Sequence, residues 1–132
     1  MILSFSHPEF EELMKKGVKT FTIRRDKHGR WRAGMKIHFW KNSPRNPSKD
    51  PYSFGEGICS SVEYCYLYPG KNSVILLSDK GSEDTVELNT QELLDVFAVE
   101  DGFKSWEHLK KWFTEDFEGR IIRWDYSRCI FY

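Results

Sequence analysis

The sequence predicts an α+β domain built on a small, closed, mixed β-barrel with two or three short helices packed around it. Three observations lead there. Short runs rich in β-branched and aromatic residues recur along the chain, punctuated by Gly, Pro, Asn and Asp. Three other segments carry helical spacing with start and stop signals. The resulting order is strand, helix, several strands, two helices, strand, without repeat, low-complexity tract or linker. At 132 residues, one domain spanning 1–132 is expected, long enough to bury a core and too short for two.

"ILSF" (2–5) reads as the opening strand. Ser6 stands three residues before Glu9, a capping-box spacing, with Pro8 tolerable in the first turn. Phe10, Leu13 and Met14 then form one apolar face, and Gly17 stops the helix. "VKTFTIR" (18–24) is a β-rich strand, "DKHGR" a turn, and "MKIHFWK" (35–41) alternates as a half-buried strand does. "NSPRNPSKDPYS" (42–53) holds three of the five prolines and is expected to be an irregular loop. "FGEGICSSVEYCYLYP" (54–69) resumes strand character, its glycine pair suggesting a bulge or a close backbone approach. "SVILLS" (73–78) and "TVEL" (85–88) flank a turn-like "DKGSED". Asn89 with Glu92 is a cap for a helix facing the core with Leu93, Leu94 and Phe97. Ser105 caps a last helix striped by Trp106, Leu109, Trp112 and Phe113, expected as core, and "RIIRWDY" (120–126) closes the fold.

A net charge of zero conceals an asymmetry. Residues 15–49 hold twelve Lys or Arg and one acid, Asp26, a local balance of +11, while the remaining 97 residues sum to −11. Nucleic acid or a nucleotide is the natural partner of such a basic segment. Apolar content of 39% with 16% aromatic residues excludes a disordered chain. No apolar run approaches the roughly 18 residues of a membrane span, so no membrane partner is expected. The start, "MILSFSHPEFEE", lacks the basic region of a signal peptide, and Cys59, Cys65 and Cys129 are odd in number and unlike zinc ligands in spacing. A cytoplasmic location with reduced thiols is expected. The four histidines, His7, His28, His38 and His108, are scattered, so neither a metal nor another cofactor is expected.

Two motifs carry a family resemblance. The first is "GVKTFTIRR…GMKIHFW", a helix-ending Gly, then Lys-Thr-x-Thr-Ile-Arg, then Gly before the next strand. The second is "VEDGFKSWEHLKKWF", an acid before Asp-Gly-Phe and an aromatic-rich helix. Together, in this order, they resemble the ASCH family over roughly residues 1–126, which implies a PUA-like β-barrel and RNA or a modified nucleoside as ligand. Some small ASCH proteins are amidohydrolases that deacetylate N4-acetylcytidine. The resemblance implies Lys19 and Thr22 as catalytic residues with Glu100 as the acid, Asp101 being its possible substitute because the segment before the helix is longer here. Arg24 matches the Arg of the same motif. The Pro-rich loop 42–53 and the turn 25–32 have no counterpart of this length in the compact amidohydrolases.

That chemistry sets requirements. Amide hydrolysis needs a nucleophile, which the Thr22 hydroxyl can supply, and a base. Lys19 is a base only if burial or neighbouring cations such as Arg24 and Arg25 lower its pKa, and a nearby carboxylate opposes this. Residues 19 and 22 have opposite parity on a regular strand. Both reach one pocket only if Lys19 lies in an irregular entry after Gly17 or a bulge intervenes. Otherwise they are ordinary strand-surface residues and Glu100 a solvated helix-end acid. Arg24, Arg25, Arg30 and Arg32 with Trp31 and Trp40 are the candidate ligand-binding set, cations for phosphate and aromatic faces for stacking a base. The same charges fit a solvated loop. Three functions follow: an RNA- or nucleoside-binding domain, a hydrolase of the same fold (amidohydrolase or ribonuclease), and a protein-interaction adaptor using the acidic helices after residue 89.

Overall fold

A computed structural model of the chain describes residues 1–78 and 83–132; most of the turn expected at "DKGSED" (79–82) lies outside the described residues. The elements run β1 (Ile2–Phe5), α1 (Phe10–Lys15), β2 (Phe21–Arg24), β3 (Lys36–Lys41), β4 (Tyr52–Tyr68), β5 (Ser73–Leu77), β6 (Thr85–Leu88), α2 (Gln91–Glu100), α3 (Trp106–Trp112), β7 (Phe117–Trp124) and β8 (Ile130–Phe131). This is a mixed α+β fold.

β4 organises it. Its first half pairs antiparallel with β3 and β8, and β3 pairs parallel with β1. From Cys59 onward it pairs with β7, with a register shift between Cys59 and Ser61, and from Tyr64 also with β5. β7 carries β2 on its far side, and β5 carries β6. One 17-residue strand is thus shared by two half-sheets. The glycine pair lets the segment at β8 lie close against β4. A Cβ at Gly55 would lie 2.7 Å from the Ile130 carbonyl oxygen, and one at Gly57 would lie 2.9 Å from Cys129 Sγ.

The expected closed barrel is not formed. β1 pairs only with β3 and β2 only with β7, so among the described residues no ladder joins β1 to β2. A side chain spans the gap instead, Arg24 Nη2 donating to the Ser4 carbonyl oxygen at 2.6 Å. The opening that sequence pattern could not reveal is where the cavity described below lies.

Helix ends follow the physics of capping with local substitutions. Ser105 accepts from the His108 N–H, as its position before α3 suggests. α2 is capped by Thr90 rather than Asn89. The Ser6–Glu9 capping box is absent, and the Glu9 N–H is taken by His7 Nδ1. α2 turns Leu94, Phe97 and Ala98 inward and leaves Leu93 exposed. Phe97 meets Phe21 of β2 at 5.2 Å between ring centroids. α3 buries Trp106 and Leu109, but Trp112 is 54% exposed and is not a core residue.

α1 and α2 end in the same way. Gly17 and Gly102 take positive φ (75° and 98°) one residue past the C-cap. In α1 the Val18 N–H reaches the Leu13 oxygen and the Gly17 N–H reaches Met14. In α2 Phe103 reaches Ala98 and Gly102 reaches Val99. This double bonding is the Schellman motif, which absorbs orphan helix carbonyls and turns the chain sharply. The two turns set Lys19 and Asp101 beside each other.

Candidate functional site

Lys19 precedes β2, in the irregular segment after Gly17, and its side chain enters the interior instead of lying on a strand face. It is fully buried. Its ammonium donates to three acceptors: Asp101 Oδ1 at 2.8 Å, the Asp101 carbonyl oxygen at 2.5 Å and the Phe21 carbonyl oxygen at 2.7 Å. It also sits 4.2 Å from the Phe10 ring centroid, so a cation–π contact adds to the cage. A cation at the C-terminal end of α2 also meets the negative end of the helix dipole.

The acid that meets Lys19 is Asp101, not Glu100. Glu100 is the last residue of α2 and joins the site only through its backbone, its carbonyl oxygen accepting from the Thr20 N–H at 2.8 Å. Asp101 is the C-cap, and the Gly102 turn directs it inward. A Cβ on Gly102 would stand 2.8 Å from the Phe10 ring and 3.0 Å from Lys19 Cδ, so both φ and space require glycine there.

Thr22 and Arg24 share one face of β2, as parity requires. Arg24 Nε donates to Thr22 Oγ1 at 3.3 Å, Nη2 holds Ser4 as described, and the guanidinium lies 5.0 Å from the Phe5 ring centroid. No ion pair to Arg24 forms among the described residues. These side chains line a cavity of about 220 Å³ together with Ser4, Ser6, His7 and Asp101, and with Phe103, Trp112 and Phe113 as its aromatic wall. Lys19 lies behind Asp101 and does not line the cavity.

Burial dominates the electrostatics. It pushes Lys19 below its ordinary value, with Arg24 acting in the same direction and Asp101 opposing. It pushes Asp101 above its ordinary value against the pull of Lys19 and Arg24. Burial also lowers His7, which stacks on Phe10 with ring centroids 4.3 Å apart. Because His7 Nδ1 accepts the Glu9 N–H, the neutral ring carries its proton on Nε2.

The rest of the basic stretch divides. Trp31 is buried in the core, so its ring faces are not offered for stacking. Asp26, the one acid of the basic stretch, is buried, and its carboxylate accepts the Arg30 and Trp31 N–H groups at 2.9 and 3.0 Å. Arg25, Arg30 and Arg32 are exposed. The Arg25 guanidinium lies 5.0 Å from the Phe117 ring centroid, beside a hollow shared with Glu118. Trp40 is half-buried on β3 next to Ser4 and lines none of the cavities described here.

Sequence reasoning missed His7, Ser4 and Ser6 as cavity residues. Their one signal is position, because Ser4 lies in β1 and Ser6 and His7 directly follow it. Among the described residues no cluster of three or more His, Cys, Asp or Glu could hold a metal, and no helix is long and apolar enough to cross a membrane. Cys59, Cys65 and Cys129 are all free. Comparison with family models, with curated proteins and with solved structures finds no match to this chain.

Proposed function

We propose that this chain is an RNA- or nucleoside-binding domain of the ASCH, PUA-like kind, taking one base into the cavity between β1, β2 and the α2–α3 turn. The observation that carries the reading is Arg24. Its guanidinium is anchored by Ser4 and Thr22, lines the cavity, and has no carboxylate partner among the described residues. A held cation facing an aromatic wall suits a flat, polar, electron-rich ligand. At about 220 Å³ the space is smaller than the roughly 300–1,000 Å³ of pockets for drug-sized ligands, so one ring system fits rather than a whole nucleotide. Titration calorimetry with cytidine, N4-acetylcytidine and a short single-stranded RNA tests this. Saturable binding is expected, weakened roughly tenfold or more by Arg24→Gln. Absence of binding to all three at low salt contradicts it.

A second reading, hydrolysis of an acylated nucleoside, is favoured by the desolvation of Lys19. Asp101 would then stand in the place given to Glu100, and the Thr22 hydroxyl would attack. All three Lys19 N–H bonds are already engaged, so the lysine must first yield a proton to act as base. Cytidine release from N4-acetylcytidine by wild type, absent in Thr22→Val, supports this reading; no release by wild type ends it.

A further inference from the structure

The cavity is not isolated. Ser4, Ser6 and Arg24 also line a second hollow of about 460 Å³, completed by Asn42, Ser43, Asn46 and Lys49. Ser4 and Ser43 in turn line a third, of about 420 Å³, with Arg30 and Arg45. The three depressions thus adjoin one another at Ser4, and Arg24 lies where the first two meet. Neither outer hollow is lined by an acid. The other basic hollow of the chain, at Arg25 and Lys27, includes Asp26 and Glu118, so its charge is mixed.

The outer wall is built by the Pro-rich loop, which is held by its own bonds. The Asn42 N–H donates to the Phe5 carbonyl oxygen, tying the loop to the end of β1. Asn42 Nδ2 donates to the Lys49 carbonyl oxygen at 2.9 Å, and the Asn46 N–H donates to Ser43, closing the loop on itself. Asn42 and Asp50 adopt positive φ (60° and 50°) at its two ends. A loop braced in this way presents cations and neutral hydroxyl and amide donors at fixed positions, which suits successive phosphates better than a single one.

We infer that the groove from Arg24 through Lys49 to Arg45 holds the phosphodiester backbone of a single-stranded nucleic acid whose base occupies the first cavity. The inference rests on the base-binding reading above and names its ligand class as a polynucleotide rather than a free nucleoside. Cytidine, cytidine 5′-monophosphate and the trinucleotide CpCpC are titrated at low salt into wild type and into the Arg45→Gln/Lys49→Gln variant. Both substitutions lie on an exposed loop, and neither residue touches the first cavity. For wild type the trinucleotide is expected to bind roughly tenfold or more tighter than cytidine, with the monophosphate between them. In the variant the gain disappears while cytidine affinity is unchanged. Equal affinity for cytidine and trinucleotide in wild type overturns the groove, as does a gain that survives in the variant. Trinucleotide binding that depends on Arg45 and Lys49 without any cytidine binding upholds the groove and refutes the base cavity. No binding by any ligand refutes both.

Discussion

Two buried carboxylates, Asp26 within the basic stretch and Asp101 at the end of α2, are satisfied in different ways. Asp26 accepts two backbone N–H groups from its own turn and meets no cation within ion-pair distance among the described residues. Asp101 is joined to a fully buried lysine that comes from 82 residues away in the chain. A carboxylate closed by local backbone donors fixes a turn, and here it sends Trp31 into the core. A carboxylate paired across the fold at the edge of a cavity carries a desolvation cost that packing alone does not require. The first is a folding device, and the second marks the site.

The largest effect follows from breaking that pair. Lys19→Met or Asp101→Leu alone strands a buried charge and is expected to cost about 3–5 kcal/mol in chemical denaturation. Combining the two is expected to recover most of that loss without restoring nucleoside affinity. If the double variant is as unstable as the singles, the pair contributes more than mutual neutralisation. The sign with pH is definite. Asp101 is raised from its ordinary 3.8, so its contribution is fully present below that value and lost as pH rises through the raised value. Lys19 is lowered from 10.5, so its contribution is present above that value and lost as pH falls through the lowered one. The stability of the apolar pair relative to wild type is therefore expected to be most favourable near neutrality.

A smaller effect belongs to the turn. Asp26→Ala leaves two N–H groups without their acceptor and is expected to cost about 2 kcal/mol, while nucleoside binding is retained. Loss of binding at native stability would show that the two acids are not as different as their surroundings suggest. The smallest effect is at His7. Burial lowers it from 6.5, so its contribution is present above that value and lost as pH falls through the lowered one. His7→Gln is expected to flatten the stability slope on the acid side of 6.5, and an unchanged slope would assign it to other groups.

Comparison of the two acids also explains what was legible beforehand. Ser105 as a cap, Gly17 as a helix stop and the Gly55–Gly57 approach follow from local chemistry, which a sequence displays. For Lys19 local chemistry leaves two placements open, the strand face and an irregular entry after Gly17. Alternation puts a lysine outside, and only its position between a Schellman turn and β2 sends it inward. The choice of Asp101 over Glu100 depends on helix phase to within one residue, finer than periodicity resolves. Barrel closure fails for a related reason. The strands were readable, but the change of partners along β4 and the absence of a β1–β2 ladder are long-range pairings with no local sequence mark. Trp31 was misplaced because its basic neighbours suggested a surface, whereas the backbone bonds to Asp26 decide its direction.

On the base-binding reading proposed above, a base enters the cavity at Arg24. Amide and side-chain NMR shifts recorded while cytidine 5′-monophosphate is added test it most directly. Saturable changes are expected at Thr22, Arg24, Asp101 to Phe103 and the exposed Trp112 indole, with little at the separate hollow formed by Tyr68, Lys71 and Asn72. Changes confined to that second hollow, or none at low salt, would contradict it.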